Sequence, residues 1–418
     1  MREMKDSGIS WVGKIPKEWI MPLYCFYSER KNKNIFGTEN NLLSLSYGKV
    51  IRKDINTSEG LLPSNYNGYN IVEAGDIIIR PTDLQNDKRS LRTGLSKERG
   101  IITSAYIALK PKNGINSRFY HYLLHTYDIL KVFYNMGNGV RQGLNYDEFA
   151  KLMVYSPSDT EQQKIADFLD RECGKIDGLK ADIQAQIDTL EQYKRSVITE
   201  AVTHGLNPSA QMKDSGAGWM PLIPLHWKAD KLKFHLRQRG IKNQIDKQVL
   251  SLYREYGIVP KDSRDDNHNV TSEDVSDYRY VRVGDFVVNK MKAWQGSVAV
   301  SDYEGIVSPA YFVYEFSDDL INKKYFHYLM RNKTYATEFR RLSGGIREGQ
   351  WDLPSEALNN TIILLPPLEE QQEIADYLDN KCAEIERIIA DKKSQIETLD
   401  GYKKSLIYEY VTGKKEVE

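Results

Sequence analysis

The chain contains the same long sequence pattern twice. MKDSG occurs at Met4–Gly8 and again at Met212–Gly216, and further motifs recur in the same order at offsets near 208 residues. The strongest match pairs EQQKIADFLD (Glu161–Asp170) with EQQEIADYLD (Glu370–Asp379). A period of this length is too long for the repeating unit of a solenoid. The sequence therefore predicts the duplication of a whole domain.

Each half begins with a mixed segment, which we call the head, and ends in a long helix. Short β-rich runs broken by Gly, Asn and Pro precede a shorter helical stretch in the head. In the first long helix, apolar residues from Ile165 to Ala201 recur at a mean spacing of 3.6 residues, the period of an α-helix. The second half repeats this stripe with one break, at Lys392. The residues predicted to pack between the helices are Ile165, Leu169, Ile176, Ile183, Ile187, Leu190, Ile374, Leu378, Ile385, Ile396 and Leu399.

Signals at the ends of the long helices predict their bounds. Thr160 is a candidate N-cap, with Gln163 as its capping-box partner, and prolines precede both helices. Gly205 and Gly413 stand where C-terminal caps are expected. Helices of about 44 residues are roughly 65 Å long and cannot bury an apolar stripe alone. Because two copies of one unit favour a pseudo-two-fold relation, we expect the helices to pack against each other in antiparallel orientation.

These features predict an α+β fold with an internal repeat. Two mixed α/β heads are separated by two long antiparallel α-helices that form a coiled-coil spacer. The predicted segments are head one at 1–156, the central helix at 157–205, head two at 206–366, the distal helix at 367–413 and a polar tail at 414–418.

Charge is distributed unevenly, although the formal net charge is zero. The heads are net basic and the helices net acidic, a distribution that suits phosphate binding by the heads. No stretch approaches the roughly 20 apolar residues that span a bilayer, and the N-terminus has no apolar signal core, so we expect a cytoplasmic protein. Cys25, Cys173 and Cys382 form no Cys-x-x-Cys pair and are expected to be small buried hydrophobes.

Sequence motifs of catalysis are missing from the chain. It has no Gly-x4-Gly-Lys-Ser/Thr phosphate loop and no amino-methyltransferase motif. His121 and His125 are spaced to share a helical face, but the second half has Arg331 in place of His125, which favours a structural role. Asp76 and Asp285 each follow a glycine before an apolar run, where turn formation explains them better than catalysis. We therefore predict neither a catalytic nor a metal site.

Two motifs of the second half resemble a known family. The helix opening PPLEEQQEIADYLD (Pro366–Asp379) is similar to that of the specificity subunits of type I restriction-modification systems. The run GDFVVNKM (Gly284–Met291), with Trp294 and Gly296 after it and IVSPAY at Ile306–Tyr311, is also similar to these subunits. The resemblance covers nearly the whole chain.

The resemblance implies a DNA sequence-specificity subunit that is not itself catalytic. Each head would be a target-recognition domain that reads one half of a bipartite, asymmetric site in double-stranded DNA. The paired helices would set the gap between the halves and dock two methyltransferase (modification) subunits, and restriction subunits would add ATP-dependent translocation and cleavage. S-adenosylmethionine, ATP and Mg would then bind to these partners, and no cofactor to this chain.

Differences between the heads indicate which residues read DNA, because heads that read different sequences share only their scaffold. The largest difference lies at Arg80–Gly100, which is longer and more basic than Asn289–Gly305 in head two. Arg, Asn and Gln make base-edge contacts, and Lys and Arg also bind phosphates. The candidates in these segments are Arg80, Gln85, Asn86, Lys88, Arg89 and Arg92 in head one, and Lys290, Lys292, Trp294 and Gln295 in head two.

A second difference follows the LSL motif that both heads contain. It supplies further DNA-binding candidates of the same polar, cationic and aromatic types. These are Tyr47, Lys49, Arg52 and Lys53 in head one, and Arg254, Tyr256 and Lys261 in head two.

A glycine-rich loop with one arginine, Arg141 or Arg347, is common to both heads. Such a loop suits a sequence-independent phosphate contact, and packing on the long helix remains an equal alternative. The residues after the loops differ and could add base contacts: Asn145, Tyr146, Gln350 and Trp351. The recurring tryptophans are expected to serve the core or subunit docking: Trp11, Trp19, Trp219 and Trp227.

Two other kinds of protein remain open at this point. One is a nuclease that cleaves outside two half-sites, and the other is a two-headed scaffold that binds proteins rather than DNA. Steep salt dependence of binding separates a DNA-binding protein from the scaffold, and metal-dependent cleavage by the pure chain would indicate the nuclease.

Overall fold

The computed structural model describes most of both halves of the chain. The described residues are 4–6, 14–16, 21–56, 65–82, 84, 91–132, 136, 143–254, 256–263, 271–345 and 351–417.

The chain divides into two compact units, and the division falls within both long helices. Unit one contains residues 1–183 and 394–418, and unit two contains residues 184–393. Each unit therefore combines one head with part of each long helix. These units do not follow the predicted segments, which treated heads and helices as separate, because the ends of the helices pack into the cores of the heads.

Head one is built on a four-stranded antiparallel sheet, with the strands in the spatial order Tyr27–Glu29, Ile107–Pro111, Ile77–Ile79 and Thr93–Leu95. Its other strands pair two by two: Met4–Asp6 with Lys14–Pro16, Met21–Pro22 with Met153–Val154, Leu43–Ser46 with Lys49–Arg52, and Asn70–Val72 with Gly100–Ile102. The helices of this head are Ser117–Ile129 and Tyr146–Phe149, with a 3-10 turn at Leu23–Cys25.

Head two repeats this plan. Its four-stranded antiparallel sheet has the order Leu236–Arg239, Tyr311–Phe316, Phe286–Asn289 and Val298–Val300. The two-stranded pairs are Met212–Ala217 with Met220–Pro224, Lys228–Lys231 with Ile362–Leu365, Leu250–Tyr253 with Gly257–Pro260, and Arg279–Val281 with Gly305–Val307. Helices lie at Lys323–Arg331, Lys333–Leu342 and Ser355–Asn359, and 3-10 turns at Leu232–Phe234, Lys261–Ser263 and Ala293–Gln295.

Two long helices follow the heads: rod helix one, Asp159–His204, and rod helix two, Leu368–Val411. Gly205 and Gly413 follow them with φ of 79° and 66°, the left-handed caps that the sequence predicts. The predicted N-cap is wrong. Rod helix one begins one residue before Thr160, and the hydroxyl oxygen of Ser158 accepts the backbone N–H of Glu161 at 3.4 Å, which is the geometry of a cap.

The predicted apolar stripe is confirmed at most positions. Buried members are Ile165, Leu169, Ile176, Ile187, Ile374, Leu378 and Ile385, and half-buried ones are Ile183, Leu190, Ile396 and Leu399. Three further residues on the same helical period are exposed, Leu179 at 53%, Tyr193 at 48% and Tyr402 at 57%. Two packed helices bury only a narrow seam, so a stripe with the period of a straight helix drifts out of the contact.

Within each unit the two rod helices run antiparallel. In unit one, Lys403 donates to the carboxylate of Asp177 at 2.6 Å, and Lys180 bonds to Asp400, which precedes Lys403. In unit two, Lys194 bonds to Glu386 and Lys392 bonds to Gln186. The partner number falls as the number along rod helix one rises, so the predicted antiparallel pairing is confirmed in both units.

In both halves, a tyrosine and an aspartate join the head to the start of the rod helix that follows it. We call this contact the joint. The hydroxyl of Tyr122 donates to Asp170 at 2.8 Å, and that of Tyr328 donates to Asp379 at the same distance. Each aspartate also takes an ion pair from a cation on the same head helix. The repetition of this joint shows that the duplicated unit includes the head together with its rod helix.

The described residues contain no helix that is long and apolar enough to cross a membrane. The three cysteines are free thiols, and Cys173 and Cys382 are buried as expected. Burial raises the pKa of the Cys173 thiol to about 11, which favours the protonated thiol at neutral pH.

Candidate DNA interface

A two-stranded hairpin lies over the edge of the sheet in each head. Hairpin one consists of Leu43–Ser46 and Lys49–Arg52, and hairpin two of Leu250–Tyr253 and Gly257–Pro260. In hairpin one, Tyr47 and the glycine after it form a two-residue turn with positive φ at both positions, the pattern of a type I′ turn. A tyrosine rarely adopts this conformation, because its side chain crowds the backbone there.

Hairpin one presents an aromatic ring and two cations to solvent. Tyr47 is 88% exposed, and Lys49 and Lys53 are exposed as well. Arg52 is exposed but occupied, because its Nε donates to the carboxylate of Glu98 at 2.7 Å. An exposed ion pair of this kind contributes little to stability and can exchange its carboxylate for a phosphate.

Hairpin two presents a different set at the same place. Arg254 and Tyr256 are exposed at its tip, and the rings of Tyr253 and Tyr256 meet edge to face with centroids 6.3 Å apart. Lys261, just after the hairpin, is half-buried and donates to the hydroxyl of Thr271. The structure thus brings the predicted residues of both LSL regions to one feature, the hairpin.

The predicted reading segment of head one is only partly described. Gln85, Asn86, Lys88 and Arg89 lie outside the described residues. Arg80 is half-buried, next to the strand that precedes the segment.

Arg92 requires a correction. Its side chain is fully buried and donates to the backbone carbonyl of Thr82, and its backbone N–H donates to the buried carboxylate of Asp128. A guanidinium enclosed in this way holds the segment to the head and is not available to DNA.

In head two the corresponding segment forms a 3-10 turn with an aromatic cluster. The indole N–H of Trp294 donates to the carbonyl of Met291 at 3.1 Å, and its ring meets that of Trp351 with centroids 5.6 Å apart. The guanidinium of Arg340 lies 5.8 and 5.7 Å from the two ring centroids, within the range of cation–π attraction. Sequence reasoning missed Arg340, which lies on a helix far from the segment in sequence and had no motif to mark it.

Two lysines of this segment differ in exposure. Lys290 is paired with Asp352 at 2.8 Å, whereas Lys292 and Gln295 are exposed. Lys292 and Gln295 are therefore the more accessible candidates for DNA contact.

The residues after the glycine-rich loops of the two heads have unlike roles. Arg141, Arg347 and Gln350 lie outside the described residues. In head one, Asn145 caps the helix Tyr146–Phe149 through a capping box with Glu148, and the hydroxyl of Tyr146 donates to the carbonyl of Tyr27 at 3.1 Å. The hydroxyl of Tyr146 is engaged within the head, which corrects its assignment. Asn145 is exposed and only its amide oxygen is engaged, so its contact with DNA stays a prediction.

The recurring tryptophans are described only in head two, since Trp11 and Trp19 lie outside the described residues. Trp227 is fully buried and donates to Glu370 at 3.0 Å, and Trp219 packs edge to face on Tyr335 with centroids 4.9 Å apart. The predicted core role is confirmed for these two.

The glycine–aspartate turns are structural in both heads. Asp76 accepts the backbone N–H of Glu73 at 2.8 Å and pairs with Arg30, and Asp285 forms the same turn and pairs with Arg239. Burial raises the pKa of both aspartates, and the arginine beside each works in the opposite direction. The described residues contain no group of three or more His, Cys, Asp or Glu arranged to hold a metal ion.

The histidines of the head helices are also structural. Burial lowers the pKa of His121 to about 3, and that of His125 and of His327 to about 4. They are therefore neutral at physiological pH, and His125 and His327 lie close to Gly48 and Gly257 of the hairpins.

Comparison with known proteins identifies the family. The model of the type I restriction modification DNA specificity domain matches residues 49–189 and 241–398, which is more than two thirds of the chain. The chain therefore belongs to this family, and it is a DNA specificity subunit of a type I restriction-modification system.

One curated relative agrees with this assignment, and one solved structure shares the fold. The type I restriction enzyme MjaVIII specificity subunit of Methanocaldococcus jannaschii is 26% identical over 345 residues, which cover 77% of this chain and 76% of the relative. A solved chain from work on complex assembly and conformational transition of the type I R-M system superposes with a TM-score of 0.65 at 12% identity, and covers 96% of this chain and 99% of that one. The HsdS subunit of Thermoanaerobacter tengcongensis gives a TM-score of 0.48 at 13% identity, with coverage of 96% and 98%. The family binds DNA, assembles with other subunits and is not catalytic.

Proposed function

We propose that each head reads one half of a bipartite, asymmetric DNA site. The observation that carries this proposal is the pair of equivalent hairpins with unlike exposed residues, Tyr47 and Lys49 in one and Arg254 and Tyr256 in the other. Both hairpins lie on the same scaffold of sheet and helix. Two readers with one scaffold and different contact residues suit two different half-sites.

In this proposal the two rod helices fix the gap between the half-sites and carry the docking surfaces for two methyltransferase subunits. Support comes from their continuity over 46 and 44 residues and from the joint that ties each head to its rod helix. S-adenosylmethionine binds to the methyltransferase subunits, and ATP and Mg bind to the restriction subunits that join them. This chain then supplies specificity alone.

The test is a footprint of the full chain assembled with its methyltransferase on DNA that carries the methylated site. We expect two short protected blocks about one helical turn apart. Substitution of both Tyr47 and Lys49 should weaken protection of one block, and substitution of both Arg254 and Tyr256 should weaken the other. Leu320→Ala, at an exposed position before the start of the helix Lys323–Arg331 and at the opposite end from hairpin two, is the control and should leave both unchanged.

Three results would contradict the proposal. A single contiguous block would mean that the heads do not read separate half-sites. Metal-dependent cleavage by the pure chain would indicate a nuclease. Affinity that is independent of salt would indicate a scaffold for proteins, because phosphate contacts make DNA binding fall steeply with salt.

A further inference from the structure

The residue behind the tip of the hairpin differs between the two heads. In head two it is Arg331, the last residue of the helix Lys323–Arg331. In head one the same place on the helix Ser117–Ile129 is occupied by His125. The position lies on a helix that both heads share. Its side chain contacts the hairpin that faces DNA in the proposed function.

Arg331 connects three elements of head two. Its Nη2 donates to the backbone carbonyl of Arg254 at the hairpin tip at 2.7 Å, and its Nη1 donates to the carbonyl of Val298 at 3.0 Å. Val298 begins the edge strand of the four-stranded sheet. One rigid, planar side chain therefore ties the tip to both the helix and the sheet edge.

The approach of Arg331 to the tip is close. A Cβ atom added to Gly257, where the second strand of hairpin two begins, would lie 3.5 Å from Nη1 of Arg331 and 3.6 Å from His327. Burial lowers the pKa of Arg331, although an arginine remains protonated. The buried guanidinium of Arg331 is stabilised by its hydrogen bonds to the two carbonyls. Loss of these bonds would free the hairpin tip from the helix and the sheet edge.

Head one has no equivalent tie among its described residues. His125 lies close to Gly48 at the tip of hairpin one, where an added Cβ would be 3.4 Å from its Cε1. No hydrogen bond between described residues joins His125 to the hairpin, and its Nδ1 is buried without a partner there. Among the described residues, the side chains next to tip one contact it by packing, including Leu91 at 3.1 Å from the same added Cβ.

We propose that Arg331 is a positioning residue for sequence reading by head two. It holds the backbone at Arg254 so that the exposed side chains of Arg254 and Tyr256 meet DNA in a fixed pose. Arg331 itself contacts no base, and its effect on affinity passes through the hairpin tip. This proposal rests on the proposed function, because it assumes that hairpin two reads one half-site.

The test compares Arg331→Met and Arg331→Lys in the full chain assembled with its methyltransferase. Methionine keeps most of the apolar length but no donor, and lysine keeps a cation that can bond to one carbonyl at a time. Two quantities are measured: amide hydrogen exchange at Arg254, Tyr256 and Gly257, and the ratio of affinities for the cognate site and for sites with one half scrambled.

For Arg331→Met we expect exchange at the tip of hairpin two to become at least tenfold faster. Discrimination at the half-site of head two should fall by about 10- to 100-fold, the loss of one to two base contacts. Discrimination at the other half-site and affinity for unrelated DNA should stay within twofold. Arg331→Lys should recover part of both losses.

The matched control is His125→Met in head one, where no hydrogen bond to the hairpin is removed. It should leave exchange at Lys49 and discrimination at both half-sites unchanged. Thermal unfolding of each variant, with exchange in the rod helices, shows whether the fold is kept. If Arg331→Met fails to fold, Arg331→Lys decides by the same two measurements.

Several outcomes would overturn the inference. Exchange at the tip that stays slow in Arg331→Met shows that this side chain does not anchor the hairpin. Faster exchange with full discrimination shows that the anchor has no role in reading. Equal loss at both half-sites indicates a general loss of folding. If the unsubstituted chain itself shows no dependence on two half-sites, the proposed function fails, and the exchange measurement still decides the anchoring by itself.

Discussion

Head one and head two share several buried interactions and differ most at their exposed hairpins. Both have a glycine–aspartate turn closed by an arginine, Arg30 in one and Arg239 in the other, that joins an edge strand of the four-stranded sheet to an inner strand. Both join their rod helix through a tyrosine and an aspartate. At the hairpins, by contrast, the exposed side chains have little in common.

This comparison separates the requirements of folding from those of reading. A duplicated domain must keep its buried ion pairs, because the loss of one partner costs several kcal/mol. Exposed hairpin residues cost little to change. Divergence at exposed features of a shared scaffold is therefore what selection for two different half-sites would leave.

The largest effect is expected when the shared ion pair is broken. Arg30→Leu and Arg239→Leu each leave a buried aspartate unpaired, and the free energy of unfolding should fall by about 3–5 kcal/mol in each case. Urea unfolding of both variants measures this. Arg52→Leu is the control, because its partner Glu98 lies at the surface and no measurable loss is expected. A large loss for one head alone would show that the heads do not share their scaffold energetically.

The scaffold could be predicted from the sequence because its motifs occur in both halves of the chain. The paired LSL motifs and glycine–aspartate turns lie at equivalent positions in the structure. The predicted apolar stripes of the two rod helices are buried or half-buried at most positions. The burial of a side chain could not be predicted where it depends on a contact with a residue distant in sequence. Arg92 looks like a surface cation in a basic segment, yet it is enclosed beside Asp128.

In the rod helices, the width of the buried face could not be predicted from the sequence. Leu179 fits the helical period but is 53% exposed, because periodicity shows which face is apolar and not how wide the buried seam is. Only the partner helix decides the width, and its register depends on pairs such as Asp177 with Lys403 that no single-helix pattern reveals.

A cavity in the equivalent part of each rod helix should have the next largest effect. Leu169 and Leu378 are both fully buried, so Leu169→Ala and Leu378→Ala should each lower the free energy of unfolding by about 3 kcal/mol. Leu179→Ala should change it by less than about 0.5 kcal/mol. Urea denaturation gives all three values. Unequal losses for the two buried leucines would mean that the joint between head and rod helix is not equally packed in the two halves.

Acid should destabilise head one more than head two. The helix of head one buries two neutral histidines, and the equivalent helix of head two buries one. The pKa values of His121 and His125, about 3 and 4, lie below the value of about 6.5 in an unfolded chain. The unfolded state therefore takes up these protons first, and stability falls as the pH drops from 6.5 towards 4. Each histidine contributes a slope of about 1.4 kcal/mol per pH unit.

Replacement of these histidines measures the difference directly. In urea unfolding followed from pH 7 to pH 4, His121→Leu with His125→Leu should remove the slope of two protons, and His327→Leu that of one. An acid slope that none of the substitutions alters would show that other groups control acid unfolding.

The smallest effect concerns how each head holds the DNA backbone. Lys49 in hairpin one and Lys292 in head two are exposed, and each is placed to neutralise one phosphate in the proposed interface. Lys49→Ala and Lys292→Ala should each reduce the slope of log affinity against log salt concentration by about 1, for specific and unrelated DNA alike. Lys175→Ala on rod helix one, where the lysine pairs with Glu172, is the control and should leave the slope unchanged. A change for only one of the two lysines would mean that the other contacts no phosphate, because each phosphate contact contributes its own part of the slope.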